Sequence, residues 1–547
     1  MRAFKARPWT IRGLILFSVF VAAAALAVQL TGQWTMGGQS PFNTRNQSAE
    51  TSIGPSNVAG LVSKWTLHTA GDVSATPAVK DGVVYVPDWR GEIYAVDANT
   101  GDVLWQVNTA HVTSVPADDG HGGPGGIVRT TPAVAGNLLI MGDQGGRIAQ
   151  GAKLFALDRK TGGVQWVTQL QGNLGGAPGD QFAVVTQSPM VDDNNPDVVY
   201  VGTSSWEEAM SAFIPGYPCC SSRGSVFAVD VKSGRILWQT RMAPEGYSGN
   251  GVWGSTGALD SKRKTLYVTT GNNYSAPQSA LDCVASAATD ADKLACMDAA
   301  NHFDSIVALD MQTGAIRWAT RALPYDTWNV NCLDLGFPVV GVCPDPAGPD
   351  HDFAQGPSLF SARINGKVRD IVGAGQKSGR YWALDRDTGA VVWSTQVGPT
   401  TGTMGGMQWG SAVDDNRVYI AINNSGASTW TLTNGVTTTK GAWSALDKAT
   451  GAILWQTETP DSLFPGFGSA IGAVTVANGV AYACSFAGTR VAMDAGSGQV
   501  LWSDPPTGEL CGAGAAVSRG AIYWGNGYGQ ILFAPVNDGT LTAYGLP

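Results

Sequence analysis

Tyr94-Ala95-Val96-Asp97-Ala98-Asn99-Thr100-Gly101-Asp102-Val103-Leu104-Trp105 reads as a strand, a tight turn and a second strand ending in tryptophan. The glycine supplies the positive φ that such a turn requires. The same pattern returns at Phe155…Trp166, Phe227…Trp238, Val307…Trp318, Trp382…Trp393, Ser444…Trp455 and Val491…Trp502, each with an Asp and a Gly at matching places. A period of this kind marks a repeat architecture. Upstream of most copies lies another pair of strands, for example Pro77 to Val86 around the turn Lys80-Asp81-Gly82. The unit is therefore four antiparallel strands, a propeller blade. An eighth blade is expected to be split: Leu541-Thr-Ala-Tyr544 supplies a late strand and Leu61-Val-Ser-Lys-Trp65 the closing one. The sequence thus predicts an all-β, eight-bladed propeller over residues 31–547, its ring tied shut by strands from both ends. The eight repeat tryptophans, Trp65 included, are expected to pack between blades.

Composition fits a large, turn-rich β body. The 547 residues include 71 Gly and 19 Trp, and only 14% are charged, which is low for a globular chain. The net charge of −9 argues against a nucleic-acid partner. Arg2, Lys5, Arg7 and Arg12 precede an apolar run from Leu14 to Leu30, and Ala25-Leu26-Ala27 offers a small-residue cleavage site. Residues 1–30 are expected to direct export to the periplasm or the exterior. Cleavage is favoured over an uncleaved membrane anchor, because the run is short for a span.

All eight cysteines follow that segment, an even count that suits disulfides in an exported protein. Cys283 with Cys296 and Cys332 with Cys343 would close short loops, leaving Cys484 and Cys511 as the last pair. Adjacent Cys219 and Cys220 are either a strained, flat ring or two thiols with separate fates. No C-x-x-C-H haem motif or C-x-x-C zinc pattern is present.

In a four-strand meander the second-to-third and fourth-to-first connections share one face. The long insertions 204–224, 272–304 and 321–356 all fall there, so that face is expected to carry the site. It holds Glu207 and Glu208, Asn272, Asp350 and Asp352, and Lys377. Carboxylates with an amide oxygen form a hard-cation set suited to Ca²⁺, and Lys377 could polarise a carbonyl oxygen. Each alone could be an ordinary solvated loop residue; convergence on one axis argues otherwise. Trp253 and Trp409 begin strands close to the same axis.

The repeat Ala-x-Asp-x-x-Thr-Gly-x-x-x-Trp resembles that of the pyrroloquinoline quinone (PQQ) dehydrogenases, most closely the polyvinyl alcohol dehydrogenase branch. The likeness covers nearly the whole mature chain. Beyond the repeat it rests on Cys219-Cys-Ser-Ser-Arg-Gly-Ser225, Tyr267-Val-Thr-Thr-Gly-Asn-Asn-Tyr-Ser275, Asp350-His-Asp-Phe353, Gly373-Ala-Gly-Gln-Lys-Ser-Gly379 and Gly405-Gly-Met-Gln-Trp-Gly410. The resemblance implies a PQQ- and metal-dependent alcohol dehydrogenase. It makes Glu208 (with Glu207 as rival), Asn272 and Asp350 metal ligands, Asp350 the catalytic base, and Lys377 the basic residue over the quinone carbonyls. It places Trp253 beneath the cofactor, the Cys219–Cys220 ring above it, and Thr186, Ser205, Arg223 and Trp409 in contact with it. It further implies a small or polymeric alcohol, secondary alcohols included, and an external acceptor such as cytochrome c. The cysteine ring lies in the blade carrying Glu208, whereas methanol dehydrogenases carry it in an earlier blade. Asp352 stands where an acid accompanies a lanthanide in some relatives, although Ca²⁺ is the expected ion. The competing reading is a non-catalytic propeller scaffold of the cell envelope, which would share the repeat but not the acids, the lysine and the cysteine ring.

Overall fold

The computed structural model describes residues 32–115, 126–172, 178–192, 195–333, 341–400, 404–461, 470–506, 509–528 and 539–547. The expected targeting segment therefore lies outside the described residues. Eight sheets, each containing a four-stranded antiparallel meander, form the ring. Blade 1 is Ala78–Lys80, Val83–Pro87, Glu92–Asp97 and Val103–Asn108. Blades 2 to 7 repeat this order, starting at Ala133, Met190, Ala258, Ser358, Ala412 and Thr475. Blade 8 takes Ala516–Ser518, Ala521–Asn526 and Thr540–Gly545, and its outer strand is Val62–His68, as the split repeat predicts. Val62 pairs with Gly545 and His68 with Thr540 across that closure.

The repeat residues explain the stacking. In the Asp97 turn, Asp97 Oδ1 accepts from the N–H of Asn99 and Thr100, and Gly101 N–H donates back to Asp97 O. Gly101 has φ +80° and a Cβ there would lie 2.8 Å from the Trp65 ring of the preceding blade. Trp65 Nε1 in turn donates to Ala98 O in that turn. Gly162 meets Trp105, Gly234 meets Trp166 and Gly314 meets Trp238 in the same way. Each tryptophan thus sits on the turn of the next blade, its ring filling the space a side chain would occupy.

A second closure was not foreseen. Residues 34–50 run around the axis across the innermost strands, close to their short turns. Val79, Val134, Leu259, Leu359, Val413 and Val476 each donate a backbone N–H to this belt, at Trp34, Thr35, Pro41, Phe42, Thr44 and Arg45 respectively. Six blades are engaged in this way. Blade 8 joins through Gln47 Nε2 to Val517 O and Gly520 N to Glu50 Oε2. Arg45 is buried, with its guanidinium donating to Val474 O, Gly37 O and Thr76 Oγ1.

The long insertions carry short helices: α1 (Glu207–Phe213), α2 (Gln278–Ser286) and α3 (Asp290–Cys296). The three longer disulfides form with the expected pairing, and Cys219 and Cys220, left open by the sequence, are bonded to each other.

Candidate active site

A chamber of about 220 Å³ opens on the elaborated face of the ring. Its lining takes residues from loops of blades 2, 3, 4, 5, 6 and 8, so no single blade builds it. Of the residues singled out from sequence, Thr186, Ser205, Glu208, Trp253, Asn272, Asp350, Asp352, Lys377 and Trp409 all line it.

Glu207 and Glu208 open α1 and diverge at once. Glu207 is fully buried and is used up by its own loop. It accepts from the N–H of Ser221 and Ser222 and from Tyr217 OH, at 2.6–2.9 Å. Glu208 faces the chamber instead, and its Oε2 has no hydrogen-bond partner. Burial pushes its carboxyl up to about 8; Lys377 pulls the other way and Asp352 adds to the rise.

Asn272 follows the strand Thr265–Thr269 of blade 4. Its Nδ2 donates to Asn273 O and Trp328 O, so the acceptor oxygen is the end left for other use. Asp350 is buried and sits in the left-handed region with φ +57°. Its Oδ1 takes a hydrogen bond from Lys377 Nζ at 2.9 Å, while its Oδ2 has no partner. Burial raises the Asp350 carboxyl well above the ordinary range, against the pull of Lys377. Lys377 itself is lowered by burial but raised overall by Asp350 and Asp352.

Asp352 is engaged on both sides. Lys377 Nζ lies 2.5 Å from its Oδ1, and Trp253 Nε1 donates to its Oδ2 at 2.7 Å. It thereby orients Lys377 and the Trp253 ring. Lys377 Nζ also lies 5.3 Å from the centre of the Trp253 ring, and Trp409 meets Trp253 edge-on at 5.5 Å.

Cys219, Cys220 and Arg223 were expected at the cofactor, but they are not among the described residues lining the chamber. The reason is local. Glu207 draws residues 217–222 onto the first turn of α1, and Cys220 O accepts from Ser275 Oγ. Arg223 bridges to Gly249 along the blade edge.

Three groups escaped the sequence reading. Arg129 lines the chamber, donates to Tyr528 OH at 2.8 Å, and lies over the rings of Trp409 (4.7 Å), Trp89 (5.1 Å) and Tyr528 (5.3 Å). It makes no ion pair among the described residues. Arg129, Thr186 and Trp253 each follow a valine, Val128, Val185 and Val252, that leads into the innermost strand of its blade. That shared position is the signal that could have found Arg129. The other two are Asp326 and Asp304, fully buried behind Asp350. Neither Asp304 oxygen meets a donor. Burial, then the neighbouring Asp326, holds the Asp304 carboxyl well above the usual range.

Oxygen donors from three loops, two of them unpartnered carboxylate atoms, form a set for a hard cation. A buried lysine, a half-buried arginine and the tryptophan plates beside them suit a flat, anionic organic group. Fold and repeat together define a propeller of the quinoprotein type. The chain belongs to the family PQQ_2, described as "Outer membrane protein assembly factor BamB", which it matches over residues 63–213 and 377–544. It is 28% identical to a polyvinylalcohol dehydrogenase of Sphingopyxis sp. (strain 113P3), over 86% of this chain and 69% of the relative. A polyvinylalcohol dehydrogenase of Pseudomonas sp. is 26% identical over 91% of this chain and 73% of its own. Among solved structures, the quinohemoprotein alcohol dehydrogenase of Comamonas testosteroni superposes with a TM-score of 0.69 at 20% identity, covering 96% of this chain and 84% of that one.

Proposed function

We propose that the protein is a PQQ- and metal-dependent alcohol dehydrogenase whose substrates include secondary or polymeric alcohols and whose electrons pass to an external acceptor such as cytochrome c. The observation that supports it most is the chamber's pair of buried, unpartnered carboxylate oxygens, Glu208 Oε2 and Asp350 Oδ2, beside Asn272 and Lys377. A buried carboxylate without a partner is strongly disfavoured unless a cation or proton meets it. Glu208, Asn272 and Asp350 would hold the metal, with Ca²⁺ the expected ion and a lanthanide the alternative. Trp253, Trp409, Thr186 and Ser205 would frame the planar cofactor, and Arg129 would meet its carboxylates. Bound there, the quinone and its metal supply a two-electron oxidant.

The chain's own groups do the rest. Asp350 takes the alcohol's hydroxyl proton as general base. Lys377 donates to Oδ1 of that carboxylate and holds it in place. Trp253 and Trp409 exclude water from one side of the chamber, which strengthens the charge interactions inside it. Trp206, Trp328, Val330 and Met404 give the lining an apolar surface suited to a carbon chain.

The test is reconstitution of the mature protein with PQQ and Ca²⁺ or a lanthanide, followed by dye reduction with primary, secondary and polymeric alcohols. Reduction that needs both additions supports the enzyme. Absence of PQQ binding with either ion removes it and favours an envelope scaffold, the reading to which the family's description points.

A further inference from the structure

Asp326 does not itself line the chamber, yet it joins the two loops that supply Asn272 and Asp350. Its Oδ1 accepts from Asp350 N–H at 3.1 Å and its Oδ2 from His351 N–H at 2.7 Å. Its own backbone carbonyl accepts from Asn273 N–H, and Trp328 N–H donates to Asn273 O. Trp328 O holds the Asn272 side-chain amide, and Thr327 O accepts from Gly348 N–H. Residues 326–328 are therefore a strut between the loop after the second strand of blade 4 and the loop that enters blade 5. The approach is close: a Cβ on Gly348 would fall 2.1 Å from Asp326 Oδ1.

Asp350 needs this support. A left-handed backbone conformation costs a non-glycine residue about 1–2 kcal/mol and persists where its surroundings enforce it. Two charge-assisted hydrogen bonds to consecutive N–H groups are a strong constraint of that kind. Asp304 backs the strut from the far side, buried against the Asp326 carboxyl.

We infer that Asp326 is a positioning residue: its carboxylate clamps the Asp350–His351 backbone and so sets where the Asp350 side chain stands relative to Glu208, Asn272 and Lys377. The inference rests on the reading of Asp350 as the base, and its test separates the two. Hydrogen–deuterium exchange of the peptide spanning residues 348–353 is compared in the wild type and Asp326→Asn, an isosteric change that keeps one acceptor and loses the other. The expected result is slow exchange at Asp350 and His351 in the wild type, and exchange at least about tenfold faster in the variant. In the reconstituted enzyme, kcat should fall about 10–100-fold, with KM for the alcohol moving less than about threefold and PQQ stoichiometry unchanged. In an Asp350→Asn background the same substitution should change kcat by less than about twofold, because Asp326 acts through Asp350.

Unchanged exchange, or an equal loss in both backgrounds, overturns the clamp. Should Asp326→Asn not fold, fast exchange of the two amides in the folded wild type overturns it equally. A wild type that binds no PQQ defeats the catalytic reading alone, and the exchange comparison still decides the role of Asp326.

Discussion

Glu208 and Asp350 each present a buried oxygen that nothing in the described chain satisfies. If a metal meets both, Glu208→Gln should weaken its binding at least about tenfold, read by titrating Ca²⁺ or terbium against the apoprotein. Asp350→Asn should retain PQQ and lose about 10²–10⁴-fold in kcat, measured by dye reduction. Asp143, in blade 2 and away from these ligands, offers a pH test. Burial pushes its carboxyl up to about 6 from 3.8, against the attraction of Lys153 and the N–H groups of Lys153 and Gly145. The folded chain thus keeps that proton where the unfolded chain has lost it. Its stabilisation is complete below about pH 4 and disappears as pH rises through 6. Asp143→Asn keeps an acceptor for the two N–H groups and replaces the unpartnered Oδ2 with an uncharged group. Urea unfolding between pH 4 and 7 should therefore lose part of its downward slope, up to about 3 kcal/mol.

At the scale of the element, the repeat was legible because its causes are local. Asp97 and its counterparts fix the turn through N–H groups two and three residues on, and the glycine is demanded twice, by φ and by the neighbouring ring. Gly314 shows both: φ +72° and a Cβ position 2.6 Å from Trp238 Cε3. Gly314→Ala should destabilise the protein by about 2–4 kcal/mol, measured from the urea midpoint. The loops read less well. Glu207 and Glu208 are adjacent in sequence, and only the fold separates a loop anchor from a chamber wall. The cysteine ring was placed at the cofactor by its flatness and by the resemblance; the N–H groups of Ser221 and Ser222 that tie its loop to Glu207 carry no mark in the sequence. Asp326 and Asp304 were hidden for the same reason, since their partners are backbone groups and another buried acid.

For the molecule as a whole, the belt of residues 34–50 was the least legible part. It has no periodicity, and its hydrogen bonds reach strands up to several hundred residues away. Removing it should lower the unfolding midpoint, at roughly 1 kcal/mol for each buried hydrogen bond lost, and the urea titration that measures this should also broaden. The other closure bears on synthesis. Val62–His68 pairs with Thr540–Gly545, and at about 5–20 residues per second a ribosome spends roughly half a minute to a minute and a half between making the two. Throughout that interval the early strand is an open edge, free to stick to a neighbouring nascent chain. The organism must either shield it or keep the whole chain unfolded until the last strand has emerged.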